Sequence, residues 1–133
     1  MGRDGQDAQP PASDPDRLAQ LKDMYGDVGV RFLDDLDGVA PDFGQLILDL
    51  NMAVMDRPGL SKRDRELVVI GVLTALGTAS RQLRAHILSA LDLGTSSEGI
   101  AEAMMQTAVY AGMPAGFNAL LDLKQVLEER SQS

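Results

Sequence analysis

The chain has 133 residues, a formal net charge of -8, 44% hydrophobic residues, one histidine and no cysteine. The negative charge argues against nonspecific binding to nucleic acid and adsorption to anionic membranes, because both need a basic surface. Without cysteine the chain has no disulfide, thiolate metal site or thiol-based redox chemistry, and one histidine cannot form a histidine metal cage. We therefore expect one domain with a sizeable core. Carboxylate metal sites stay possible in principle, but no DxDxDG-type loop appears, so we predict no metal.

The longest apolar stretch, near residues 67–77, is shorter than the about 20 residues that span a bilayer. The first 15 residues lack the apolar segment of a signal peptide. These two observations predict a cytoplasmic protein. Residues 1–14 are rich in Gly, Asp, Gln, Ala and Pro and have little to bury. We predict a disordered tail there and a single helical domain over residues 15–133.

The first half of the domain predicts two helices and a short connecting segment. Pro15 suits the first position of a helix that ends at Gly26, and a helical or turn segment follows at residues 28–36. Pro41 opens the next helix, which residues 57–59 break. Apolar residues at helical spacing predict its buried face. They are Phe43, Leu46, Ile47, Leu50 and Val54.

The second half predicts four more helices. Ser61 is a good N-cap for the first of them, and the second ends at Gly94. Residues 95–98, Thr-Ser-Ser-Glu, read as a capping box for the third. Residues 112–114, Gly-Met-Pro, separate it from a last helix over about residues 114–129. Since no segment strongly alternates apolar and polar residues, we predict an all-α fold.

The helices between residues 60 and 127 are apolar on more than one face. The run from Leu67 to Leu73 is apolar nearly all round, as in a helix buried inside a core. A monomer of this size has difficulty covering so much apolar surface. We therefore predict a homo-oligomer.

The lone histidine and an upstream glutamate are the first candidates for chemistry. His86 falls beside the apolar stripe of Leu83, Ile87 and Leu91, and Glu66 stands at the start of the preceding apolar helix. An imidazole and a carboxylate that enter apolar surroundings are typical of proton-transfer sites. The structural alternatives are a hydrogen-bonded core histidine and a glutamate that complements the helix dipole.

Six short motifs, in this order, give the chain over about residues 50–128 a resemblance to the carboxymuconolactone decarboxylase family. They are Arg57-Pro58-Gly59-Leu60, Arg63-Asp64-Arg65-Glu66-Leu67, Leu73-Thr74-Ala75-Leu76-Gly77, Leu83-Arg84-Ala85-His86, Ala90-Leu91-Asp92-Leu93-Gly94 and Tyr110-Ala111-Gly112-Met113-Pro114-Ala115. The resemblance implies an all-α, alkylhydroperoxidase D-like bundle of about six helices, assembled as a trimer or hexamer. It maps the family's histidine onto His86 and its glutamate onto Glu66.

The chain departs from the family pattern in three places. The alkylhydroperoxidase D branch has a Cys-x-x-Cys pair where this chain has Ala79-Ser80-Arg81-Gln82, so thiol peroxidase chemistry is excluded. The decarboxylases typically carry tryptophans before the RPGL-like motif, and this chain has none. They also tend to have an asparagine closer to the YAG-x-P motif than Asn118 is here. These departures fit a different substrate, for instance in a specialised biosynthetic pathway.

The resemblance implies a cofactor-free decarboxylase of a small lactone or vinylogous keto acid similar to γ-carboxymuconolactone. We expect His86 to act as general acid/base, with Glu66 as its partner or as a second proton-transfer group. The candidates for substrate binding are Arg57, Arg65 and Arg81, which suit carboxylates, and Tyr110, which can donate to a substrate oxygen.

Other interpretations stay open at this point. The three arginines could be solvated surface residues, and Tyr110 could simply pack. An isomerase or cyclase, a non-catalytic binder of small molecules, and a purely structural oligomer all fit the same scaffold.

Overall fold

The computed structural model describes residues 15–133 and contains six α-helices over that range. They are α1 (Pro15–Asp34), α2 (Pro41–Met55), α3 (Lys62–Leu76), α4 (Ser80–Asp92), α5 (Ser97–Ala111) and α6 (Met113–Ser131). No strand occurs among these residues. The predictions of an all-α fold and of about six helices are confirmed. The predicted disordered tail lies outside the described residues.

The chain divides into two compact units, Met1–Met52 and Ala53–Ser133. In the first unit, Leu21 of α1 packs with Leu48 and Met52 of α2. Gly26 has a φ of 61°, in the left-handed region that favours glycine, and it bends α1. The helical conformation is therefore interrupted at Gly26, as the sequence predicts, and the helical segment that follows it is the second part of α1.

The second unit contains α3 to α6, and all four helices contribute to its core. The buried residues of this core are Ile70, Leu83, Ile87, Ala90, Ile100, Met104, Ala119, Leu123 and Val126. α3 and α5 each begin with an N-cap residue whose side chain accepts a backbone hydrogen bond, whereas α4 has no such bond. The position of α4 therefore depends on its packing and on its side-chain contacts with α3 and α6.

Capping residues set the ends of α3 and α5. Ser61 Oγ accepts a hydrogen bond at 3.0 Å from the backbone N–H three residues on, as expected of an N-cap, and Gly77 closes α3 with a φ of 70°. The N-cap of α5 is Ser96, whose Oγ accepts the equivalent bond at 3.0 Å. Thr95 is instead buried. The capping box predicted from residues 95–98 was therefore placed one residue too early.

α3 buries two polar side chains along with an isoleucine and leaves several large apolar side chains exposed. Its buried residues are Glu66, Ile70 and Thr74. On the opposite side, Val68, Val72 and Leu76 are 57%, 53% and 61% exposed. The sequence predicts burial nearly all round this helix, but the single chain buries one face. An apolar face of α3 is thus left uncovered.

Gly116→Ala tests the close approach of α5 and α6. A Cβ at this position would overlap the side chain of Ala108. We expect the free energy of unfolding to fall by about 1–3 kcal/mol, the usual cost of overpacking a core, in urea unfolding followed by circular dichroism. Gly59→Ala is the matched control, because nothing lies within 4 Å of a Cβ built there. An equal loss in both variants would contradict the role given to close packing.

Candidate active site

His86 and Glu66, 20 positions apart on different helices, meet in the structure. His86 Nδ1 lies 2.7 Å from Glu66 Oε2. The Glu66 side chain is 0% exposed, whereas 18% of the His86 side chain remains exposed. Glu66 therefore does more than complement the dipole of its own helix, since its carboxylate is bound by a side chain of α4.

A third side chain, Ser89, completes the surroundings of the Glu66 carboxylate. Ser89 lies one helical turn after His86 on α4, and its Oγ donates a hydrogen bond to Glu66 Oε1 at 3.1 Å. Residues three apart on a helix share a face, so α4 presents both donors to one carboxylate. One donor for each oxygen offsets part of the cost of burying the charge. The sequence analysis did not predict a role for Ser89. The feature that could have indicated it is a hydroxyl three residues after the histidine, on the same face of the helix.

The contact with Glu66 determines which nitrogen of the imidazole faces the carboxylate. An ionised carboxylate can only accept hydrogen bonds, so we assign the hydrogen on Nδ1 to the bond with Glu66. Nε2, on the other side of the ring, is then the nitrogen that gains or loses a proton. An imidazole held in this way can act as a general acid or as a general base.

A serine, a histidine and an acid lie together here, but their contacts differ from those of a nucleophilic triad. In such a triad the serine hydroxyl bonds to the imidazole and faces the substrate. Ser89 bonds to the carboxylate instead and is 1% exposed. The arrangement therefore suits proton transfer by the histidine and not nucleophilic attack by the serine.

The four predicted substrate-binding residues occupy different places in the structure. Arg65 Nη2 donates to the backbone carbonyl oxygen of Arg57 at 2.9 Å, which fixes the Arg65 side chain at the start of α3. The Arg57 and Arg81 side chains are exposed. Tyr110, at the end of α5, is 87% exposed. The roles of these four residues in binding substrate stay predictions.

Two kinds of feature are absent from residues 15–133. No group of three or more His, Cys, Asp or Glu side chains in this range could hold a metal ion. None of the helices in this range is long and apolar enough to cross a membrane.

An open cleft of about 330 Å³ lies between the end of α3, the start of α4, and α6. Its polar side chains include Ser80, Asn118 and Asp122, and Ser80 Oγ donates to the Asp122 carboxylate at 2.8 Å. Neither Glu66 nor His86 lines this cleft. Because the Asp122 carboxylate repels anions, the cleft does not suit a carboxylate substrate.

Comparison with known proteins identifies the scaffold. Residues 41–125 match the model of the carboxymuconolactone decarboxylase family. The chain belongs to this family. The resemblance drawn from the six motifs is confirmed, and the contacts among Glu66, His86 and Ser89 all lie within the matched residues.

Three relatives show how far the similarity extends. A 4-carboxymuconolactone decarboxylase of Acinetobacter baylyi is 32% identical over 100 residues, which are 74% of this chain and 74% of the relative. An uncharacterized 15.0 kDa protein of Paracoccus denitrificans is 35% identical over 78 residues, 58% of each chain. A nitrosuccinic acid decarboxylase of Metarhizium robertsii is 29% identical over 76 residues, 57% of this chain and 52% of the relative.

Glu66→Ala tests whether the buried carboxylate holds α3 and α4 together. The substitution leaves His86 Nδ1 and Ser89 Oγ without their acceptor. We expect the free energy of unfolding to fall by about 2–5 kcal/mol in urea titrations, because two donors lose their acceptor and the deleted side chain leaves a cavity. Glu102→Ala, at an exposed position of α5, should change it by less than about 0.5 kcal/mol. A loss as small in Glu66→Ala would show that the carboxylate does not anchor the two helices.

Proposed function

We propose that the protein is a cofactor-free decarboxylase of a small carboxylate, with His86 as its general acid/base and Glu66 as the partner of that histidine. Membership of the family and two relatives named as decarboxylases support this class of activity. The 2.7 Å contact between His86 Nδ1 and a fully buried carboxylate is the observation that carries the proposal.

The substrate class follows from what decarboxylation requires. Both relatives are named for removing a carboxyl group from a compound with an electron-withdrawing group, a lactone in one and a nitro group in the other. For this chain we infer a small lactone or vinylogous keto acid resembling γ-carboxymuconolactone. The carbon–carbon bond to the carboxylate breaks, carbon dioxide leaves, and the electron pair passes into the conjugated carbonyl to give a dienolate. Such a substrate provides its own electron sink, so neither metal nor organic cofactor is required.

His86 supplies the proton that the dienolate needs. The protonated imidazole transfers the hydrogen on Nε2 to carbon, a new C–H bond forms, and the neutral ring then takes a proton from water. The Glu66 carboxylate stabilises the positive ring through Nδ1 during this exchange. With 18% of its side chain exposed, His86 can meet a small molecule while most of the ring stays shielded from water.

The substrate's carboxylates and its developing oxyanion need donors. Arg57, Arg65 and Arg81 are the candidates for the carboxylates, because a guanidinium can bind a carboxylate with two parallel hydrogen bonds. The bond to the Arg57 carbonyl already orients Arg65, which lowers the entropy lost when a ligand binds. Tyr110 is so exposed that it meets a bound substrate only if a second subunit covers the end of α5.

His86→Ala tests the acid/base assignment. Purified protein is incubated with γ-carboxymuconolactone and related vinylogous keto acids, and loss of carbon dioxide from each is followed by mass spectrometry. We expect the rate on the accepted substrate to fall about 10²- to 10⁴-fold in His86→Ala, the usual contribution of a general acid. Glu102→Gln, at an exposed position of α5, should keep the full rate.

Each other outcome of this assay identifies a different function. Full turnover by a folded His86→Ala variant would show that the role given to His86 is wrong. An isomer of unchanged mass would identify an isomerase or cyclase, and a bound but unchanged ligand would identify a binding protein.

The same family assignment and the uncovered apolar surface lead us to propose a homo-oligomer, a trimer or hexamer. In addition to the outer face of α3, large apolar side chains of α5 and α6 are exposed, among them Val109, Met113 and Phe117. Monomeric proteins rarely expose apolar patches larger than a few hundred Å². A second copy of the chain would remove these side chains from water.

Val72→Glu tests the assembly by placing a charge on the outer face of α3. We expect a shift toward monomer in size-exclusion chromatography with light scattering, because burying an unpaired carboxylate in an apolar interface is costly. Gln106→Glu, which adds the same charge at a polar exposed position of α5, should leave the mass of the assembly unchanged. A monomeric unsubstituted protein would disprove the proposed oligomer.

A further inference from the structure

We propose that Ser89 is a positioning residue, whose hydroxyl holds the Glu66 carboxylate in the orientation in which Oε2 faces His86 Nδ1. Ser89 is 1% exposed, so it does not touch substrate and can act only through Glu66. The effect on catalysis rests on the decarboxylase function proposed above, whereas the effect on the imidazole does not.

The need for a second donor follows from the freedom of the glutamate side chain. The terminal torsion of a glutamate is broad, so one hydrogen bond to Oε2 does not fix the plane of the carboxylate. The bond from Ser89 to Oε1 adds a second point of attachment. Because both donors belong to one turn of α4, the carboxylate is held against a single rigid face.

The apolar surroundings of Ser89 indicate that its hydroxyl has a role beyond filling space in the core. It lies among the buried residues of α4, where Leu83, Ile87 and Ala90 are its apolar neighbours along the helix. Alanine would fill nearly the same space without the cost of burying a hydroxyl. The Glu66 carboxylate is the acceptor that the hydroxyl meets. A polar group at this position is thus explained by its bond to Glu66.

The lone histidine makes the proposal directly measurable. With one histidine in the chain, the imidazole signals in a nitrogen-15 NMR spectrum need no assignment. In the unsubstituted protein we expect a hydrogen on Nδ1 that exchanges slowly with water and resonates far downfield, as in a strong bond to a carboxylate. In Ser89→Ala the carboxylate can rotate, so we expect this signal to broaden and to move upfield.

The kinetic prediction separates positioning from binding. We expect kcat of Ser89→Ala to fall about 10- to 100-fold, the range known for residues that hold the ligands of metal sites in place. KM should change little, because Ser89 does not touch substrate. Ser89→Thr keeps the hydroxyl and should restore both kcat and the Nδ1 hydrogen signal. Cysteine is similar in size to serine but is a weaker donor, so kcat of Ser89→Cys should lie between the values of Ser89→Ala and the unsubstituted protein. This variant replaces Ser89→Thr if threonine does not fit in the core.

Thr74→Val is the matched control for the loss of a buried hydroxyl. Thr74 lies on the same inner face of α3 as Glu66, and its Oγ1 has no hydrogen-bond partner among the described residues. Valine has nearly the shape of threonine, so this variant removes a buried hydroxyl without altering the Glu66 carboxylate. Both the imidazole spectrum and kcat should stay as in the unsubstituted protein.

Two results would overturn the proposal. One is an unchanged Nδ1 hydrogen signal in a folded Ser89→Ala variant. The other is a change of this signal in Thr74→Val that is as large as in Ser89→Ala. A failed decarboxylase function gives a different pattern. His86→Ala would then keep full turnover, or no substrate would be found, while Ser89→Ala still altered the imidazole spectrum. That pattern would keep Ser89 as the residue that positions Glu66 and would reject the catalytic role of the pair.

Discussion

The buried carboxylate of Glu66 is the constraint on which the arrangement of α3 and α4 depends. A carboxylate with no exposed surface is tolerated only where donors replace the water it has lost. Both donors come from one turn of α4, so α4 must lie against α3 with the face of His86 and Ser89 turned toward Glu66. Rotating α4 by one residue would remove both bonds. The contact between Glu66 and His86 therefore depends directly on the packing of the two helices.

The inward carboxylate also shapes the outside of α3. Because a helix repeats every 3.6 residues, the residues two positions after Glu66, Ile70 and Thr74 fall on the opposite side. In this helix they are Val68, Val72 and Leu76, all more than half exposed in the single chain. Hydrophobic burial would favour the reverse orientation of α3 in a monomer. The observed orientation is stable only if the bonds to Glu66 outweigh that tendency, or if another subunit covers the outer face. A subunit that covered the outer face of α3 would therefore also stabilise the orientation in which Glu66 faces α4.

Local signals in the sequence predicted where the helices begin and end, because capping and breaking residues act within a few positions. Ser61 and Gly77 are examples. The buried faces were harder to predict. In α2 the pattern favoured Leu46 and Leu50, yet Leu48 and Met52 are buried. In α6, likewise, Ala119 and Leu123 are buried while Phe117 and Leu121 are exposed. Helices that are apolar on two sides offer two solutions, and periodicity cannot choose between them. The sequence likewise predicted His86 and Glu66 as candidates, but their contact and the part of Ser89 depend on how two helices pack.

The side of α4 that faces away from Glu66 is held by ion pairs with α6. Arg84 binds Glu129 at 2.7 Å, and Asp92 binds Arg130 at 2.8 Å, so α6 holds α4 where α3 does not. Such exposed pairs contribute little stability individually, but they restrict how α4 can rotate. Glu66 and His86 thus lie on packed helices within one unit, whereas the side chains of Arg57, Arg81 and Tyr110 are exposed. Exposed side chains can change without disturbing the core. If the proposed function holds, substitution at the surface can alter which carboxylate is bound while the contacts of the buried Glu66 with its two donors stay the same.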